Sequence, residues 1–146
     1  MKTLTNNNSE ILNKNKLMNW KKGILLGLTS ATLSAIAGSL YNQVYSKAFE
    51  IDFSSILNWQ GITMACLVGC VLMSTTYVLL FKWEKEKYLG WANILFAVVS
   101  FASIIGVLSF KLPLEMEMPE LFPGLAIPMH FFPALSFLTI YPFFKK

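Results

Sequence analysis

The feature of this sequence that most constrains its fold is a set of four long stretches in which one histidine is the sole side chain able to carry a charge near neutral pH. They run over residues 23–45, 61–81, 90–110 and 121–144. Each is close to the roughly 20 apolar residues that carry an α-helix across about 30 Å of hydrocarbon. The pattern predicts an all-α membrane protein, a four-transmembrane-helix bundle formed by residues 20–146. Residues 1–19 are polar and rich in Asn and Lys, which predicts a disordered cytoplasmic tail. No internal repeat and no separate soluble module is legible.

Charge orients the spans. All twelve basic residues are Lys. Ten of them precede span one, separate spans two and three, or follow span four, which leaves Lys47 and Lys111 on the other side. The positive-inside rule assigns the Lys-rich side to the cytoplasm, so both termini are expected there. The outer side carries Glu50, Asp52, Glu115, Glu117 and Glu120. Trp20, Trp83, Trp91 and Tyr141 fall where the inner interface should be, and Tyr45 and Trp59 where the outer one should be, as in aromatic belts. Ala35-Ile36-Ala37 before Gly38 has the form of a signal-peptide cleavage site. The uncharged run continues to Tyr45, however, and the leader would be unusually long, so span one is expected to be retained.

Composition excludes other classes. Only 14% of the chain is charged and 55% is apolar, against about a quarter charged in soluble domains. The absence of Arg removes the planar fork that grips phosphate and argues against nucleic acid. The expected partners are the lipid bilayer, other membrane proteins or further copies of the chain. Between spans one and two, residues 46–60 alternate polar and apolar side chains. A short interfacial helix is predicted there, with Asp52 or Ser54 as its cap.

Lipid tails are as apolar as Leu, so membrane helices associate through close contact rather than hydrophobic burial. Small residues four apart share a helix face. Gly23, Gly27, Ala31, Ala35 and Ser39 form one such row in span one, beside a second of Ser30, Ser34, Gly38 and Asn42. Gly61, Ala65 and Gly69 form a row in span two, and Ala102 and Gly106 a shorter one in span three. The predicted packing positions are therefore Gly27, Ala31, Ala35, Gly38, Gly61, Ala65 and Gly69. Span four is interrupted by Pro128 and Pro133, which supply no N–H to the carbonyls of Gly124 and Met129. A kink near His130 is expected, with those carbonyls needing a hydroxyl, a neighbouring helix or water.

His130 is the principal candidate for function, since ionisable groups inside a membrane usually face a bundle interior or a wet cavity. Asn42 and Tyr45, near the outer end of span one, should lie at a depth not far from it. Together the three define a candidate outward-facing pocket for a small molecule or a proton. The competing reading is ordinary interhelical hydrogen bonding. Cys66 and Cys70 share a face of span two and, with Met64 and Met129, offer soft ligands. No compact ligand motif accompanies them, so no metal and no cofactor is expected, and they read as small packing residues.

Asn42-x-x-Tyr45 ending span one, Asp52-Phe53 after it, the charged linker and Met129-His130 in a proline-bearing last span resemble a bacterial family of small four-span membrane proteins of unknown function. The resemblance covers roughly residues 22–144 and implies the fold alone, with no catalytic residues. Better-known families fit poorly. Small multidrug exporters need a Glu within span one, thiol oxidoreductases a C-x-x-C pair, bundle haem-b proteins two His, and rhomboid-type proteases a G-x-S-G turn. The expectation is a non-enzymatic accessory or scaffold protein, with ligand or proton binding around Asn42 and His130 as the alternative.

Overall fold

The computed structural model describes residues 20–113 and 117–144, whose regular structure is entirely helical, with no strand among them. The tail of residues 1–19, Glu115, Lys145 and Lys146 lie outside the described residues. Helix α1 spans Trp20–Phe49, α2 Trp59–Lys82 and α3 Leu89–Ser109. The fourth span is two helices, α4 over Phe122–Met129 and α5 over Phe132–Phe144. All four spans are long and apolar enough to cross a membrane. The end of the bundle that carries the 83–88 linker is termed inner, and the opposite end outer.

The helix ends follow from local chemistry. The Asn58 side chain caps α2 by accepting from Gly61 N–H at 2.7 Å, which satisfies one of the free donors of the first turn. Helix α1 ends where Glu50 turns left-handed and Ile51 N–H donates to Ser46 O at 3.1 Å. Helix α2 ends the same way, with Glu84 at φ 55° and Lys85 N–H donating to Leu80 O at 2.8 Å. These are Schellman closures with Glu where glycine is usual.

The segment between α1 and α2 departs from expectation. Residues 50–58 form no helix. Ile56 and Leu57 N–H both donate to Phe53 O, at 3.0 and 2.8 Å, and Asp52 accepts from Ser54 N–H at 2.8 Å. Hydrogen bonds from the Ser54 side chain and backbone hold the Asp52 carboxyl below the usual carboxylate range. Phe53 is 1% exposed and packs edge-on against Phe122, with ring centroids 5.5 Å apart. A single turn gains little as a free helix, whereas Phe53 and Ile51 plugged into the outer end of the bundle gain tertiary contact. The chain therefore folds inward instead of lying along the interface.

Helices α1, α2 and the α4–α5 pair form the packed unit. Antiparallel α1 and α2 approach most closely at small residues. The Gly23 carbonyl accepts from the Ser74 hydroxyl, and a Cβ on Gly27 would lie 3.2 Å from Ser74 Cβ. Ser34 Oγ donates to Cys66 Sγ at 3.1 Å, and a Cβ on Gly38 would lie 2.9 Å from Ile62 Cγ2. The buried residues of α1 are Leu26 and a line of small ones, Gly23, Gly27, Ser30, Ala31, Ser34 and Gly38. That line starts on one small-residue row and ends on the other, because positions four apart advance 400° and drift round a 3.6-residue helix. That drift carries Ala35 off the interface to a half-exposed position beside a groove of about 380 Å³. Gly61 and Ala65 are exposed and Gly69 is half-buried against Pro133. The span-two row therefore does not meet α1; Ile62, Cys66, Cys70 and Ser74 do.

Two apolar clusters fill the bundle. The inner one centres on Leu26, Cys70, Tyr77 and Phe137, and the outer one on Phe53, Phe122 and Leu125. Helix α3 is peripheral, with only Ala92 and Val107 buried. It leans on the others through Asn93, which accepts from the Tyr77 hydroxyl, and through Phe96, Ser103 and Val107. Ala102 and Gly106 face outward, and a Cβ on Gly106 would meet nothing within 4 Å.

Candidate functional site: a cavity at the helix break

The site originates in two prolines. With no N–H at Pro128 and Pro133 the α-helical ladder cannot run through residues 128–133. The chain instead makes tighter bonds, His130 N–H to Ile127 O at 3.2 Å and Phe131 N–H to Pro128 O at 3.1 Å. The ladder resumes with Leu135 N–H donating to Phe131 O at 2.9 Å. The break thus falls at His130 and Phe131, as the proline spacing predicts. The carbonyl of Gly124, deprived by Pro128, accepts from the Tyr41 hydroxyl at 2.8 Å. Tyr45 donates to Leu121 O at 2.8 Å. A side chain at position 124 would collide with the Tyr45 hydroxyl, so glycine there permits the close approach of the two spans.

His130 is half-buried, and its Nδ1 lies 2.9 Å from Ser103 Oγ. Ser103 Oγ in turn donates to Ser100 O at 2.7 Å. A hydroxyl has one proton. With that proton on Ser100 O, Ser103 Oγ accepts from Nδ1–H, and Nε2 of the uncharged ring is left as an acceptor. The contacts His130–Ser103–Ser100 join the broken span to α3, and this placement of the Ser103 proton corresponds to the Nδ1–H tautomer.

These three residues line a cavity of about 530 Å³ between α2, α3 and the helix break, within the range of about 300–1,000 Å³ usual for ligand sites. Its inner wall includes Cys66, Ser100, Ser103 and His130, and its rim includes Ala65, Leu72, Leu95 and Val99. The rim residues are exposed and apolar, so in a bilayer the cavity opens sideways onto acyl chains. Apart from His130, no residue lining it is acidic or basic. Gly61, Ala65 and Gly69 line it too; without bulky side chains they keep the slot open.

The pocket expected from the sequence is only partly assembled. His130 lines the cavity, but Asn42 and Tyr45 do not. Tyr45 is occupied with Leu121 O, and Asn42 is half-buried on α1. The partner of His130 is Ser103, which sequence reasoning missed. The signal was present: the polar residues Asn93, Ser100 and Ser103 recur at spacings of seven and three on one face of span three. Polar groups in a membrane turn inward, and that face is the one that meets the bundle.

A Ser–His pair also raises the question of nucleophilic catalysis. The Ser103 proton is spent on its own helix, the usual back-bond of a helical serine. The neighbouring N–H groups belong to the regular helix α3 and are not free to stabilise an oxyanion. Cys66 and Cys70 are free thiols with separate partners: Cys66 accepts from Ser34, and Cys70 Sγ lies 3.8 Å from Pro133 O. Among the described residues no group of three or more His, Cys, Asp or Glu could hold a metal ion.

No family model, curated protein or solved structure matches the chain. The geometry of the cavity alone carries the functional reading.

Proposed function

We propose that this chain is a non-enzymatic accessory protein of a bacterial cytoplasmic membrane that holds a small lipophilic molecule within the bilayer. The observation behind the reading is the cavity at the break in span four, which is apolar at its rim and has one imidazole in its wall. The likeness to the four-span bacterial family belongs to the same proposal and rests on its short motifs. So does the orientation, which rests on the Lys asymmetry. Reporters active only outside the cytoplasm should work when fused at Ser54 and fail when fused after Lys146.

The binding reading is tested by filling the slot. Ala65 is exposed on its rim, so Ala65→Phe should occupy the cavity and leave the α1–α2 contact intact. Lipophiles extracted from purified parent protein should include one that is depleted from Ala65→Phe. Equal content in the two proteins refutes the reading.

One observation favours a scaffold role as a second reading. Ala102 and Gly106 form a small-residue row on the outer face of α3 with open space beside it, the signature of helix contact in membranes. Disulfide formation between Gly106→Cys chains in native membranes would show that a second copy docks there.

A further inference from the structure

The cavity also specifies the chemistry of what it holds, on the premise that it holds a lipophile at all. We infer that the ligand is an uncharged, single-chain amphiphile that donates a hydrogen bond, from a hydroxyl or an N–H, to Nε2 of His130.

Length comes first. On α2 the lining runs from Gly61 to Met73, a helical rise of about 18 Å. That is close to the roughly 15 Å of a single leaflet's share of the hydrocarbon. A molecule with one chain of leaflet length fits; a two-chain lipid would have to leave one chain outside.

Charge comes second. Apart from His130, no lining residue could carry or balance a charge, and an unpaired charge at this depth is costly. An alkyl ammonium would have no counter-ion in the cavity, and a fatty carboxylate would find one only with a second proton on His130, so with the ring neutral the occupant is neutral too.

Polarity comes third. With the Ser103 proton donated to Ser100 O, the 2.9 Å contact to His130 is made by the Nδ1 proton. The unspent hydrogen-bonding capacity of this relay is the Nε2 lone pair. A ligand that only accepts hydrogen bonds, such as a ketone, ester or ether, finds no donor in this relay. A ligand that donates completes it.

Position comes fourth. His130 lies midway along the stretch of span four that lines the slot, between Ala126 and Ala134. The donor therefore sits part-way along the ligand, with apolar portions on both sides. A terminal head group would need to remain at the interface.

The test uses the full-length protein in nanodiscs and three probes of one chain length: a secondary alkyl alcohol with a mid-chain hydroxyl, the matching ketone and the matching alkane. Binding is followed by native mass spectrometry. The alcohol should bind roughly threefold to fifteenfold more tightly than the ketone or the alkane, the range set by single hydrogen bonds inside membranes. His130→Leu should retain alkane binding and lose the preference for alcohol. Ser103→Ala frees Nδ1 and lets the ring take its other tautomer, so the alcohol-over-ketone preference should shrink while alkane binding holds. If all three probes bind the parent equally and Ala65→Phe displaces them, the cavity reading survives and this inference is overturned. A preference for the ketone overturns it too, since Nε2 would then be a donor. If no probe binds the parent, both readings fall.

Discussion

Gly38→Ala adds one methyl group at the tightest point of the outer half of the α1–α2 contact, and its cost can be worked from the geometry. The new Cβ would lie 2.9 Å from Ile62 Cγ2, with Phe132 Cδ2 at 3.7 Å. Carbon atoms prefer about 3.5–4.0 Å, so the shortfall is roughly 0.6–1.1 Å. Ile62 cannot absorb it, because it is 4% exposed and β-branched, with a stiff χ1. The helices must separate, at the roughly 1–3 kcal/mol of an overpacked core. Replacing glycine by alanine within a helix also stabilises it, by about 0.5–1 kcal/mol. Gly106→Ala supplies the control: it carries the same propensity gain, and its Cβ meets nothing within 4 Å. The difference between the variants isolates the steric term, so Gly38→Ala should be less stable than Gly106→Ala by about 1–3 kcal/mol. Reversible unfolding in mixed micelles, followed by circular dichroism, measures both. Equal stability of the two variants would refute the claim that Gly38 marks a close helix contact.

Other substitutions probe separate links. Tyr41→Phe leaves Gly124 O without the hydroxyl that replaces its lost backbone donor and should destabilise by about 0.6–1.7 kcal/mol. Tyr45→Phe should cost less, because Leu121 O keeps its place in the ladder that begins α4; equal losses in the same unfolding assay would contradict this. Ala35→Leu should stay within about 0.5 kcal/mol of the parent, since the side chain enters a groove rather than α2, and a larger loss would restore Ala35 to the interface. Glu84→Gly removes a left-handed strain of roughly 1–2 kcal/mol and should raise stability, read as a later unfolding midpoint.

Much of this architecture is legible in the sequence. The number of spans, their approximate limits and the break near His130 follow from run length and from the missing N–H groups of Pro128 and Pro133. The deprived Gly124 carbonyl is expected to need a hydroxyl, and Tyr41 supplies it. The helix expected between spans one and two does not form, because its apolar residues find better packing inside the bundle. The expected grouping of Asn42, Tyr45 and His130 does not assemble either. Equal depth along two helices says nothing about the angle between their faces.

That distinction separates what sequence alone determined from what tertiary structure decided. Crossing a membrane depends on length, charge and backbone hydrogen bonding, which are properties of a segment and its own composition. Facing is a relation between segments. In water, the apolar stripe of a helix announces which side is buried. In lipid every apolar side is satisfied, and only small and polar residues carry that information. Span one holds two small rows, and helical drift used part of each. Span two turned its glycine row away from span one, towards the cavity and Pro133. Asn93, Ser100 and Ser103, three of the four polar residues of α3, were the remaining clue to its inward face, and only the folded chain showed that one of them meets His130.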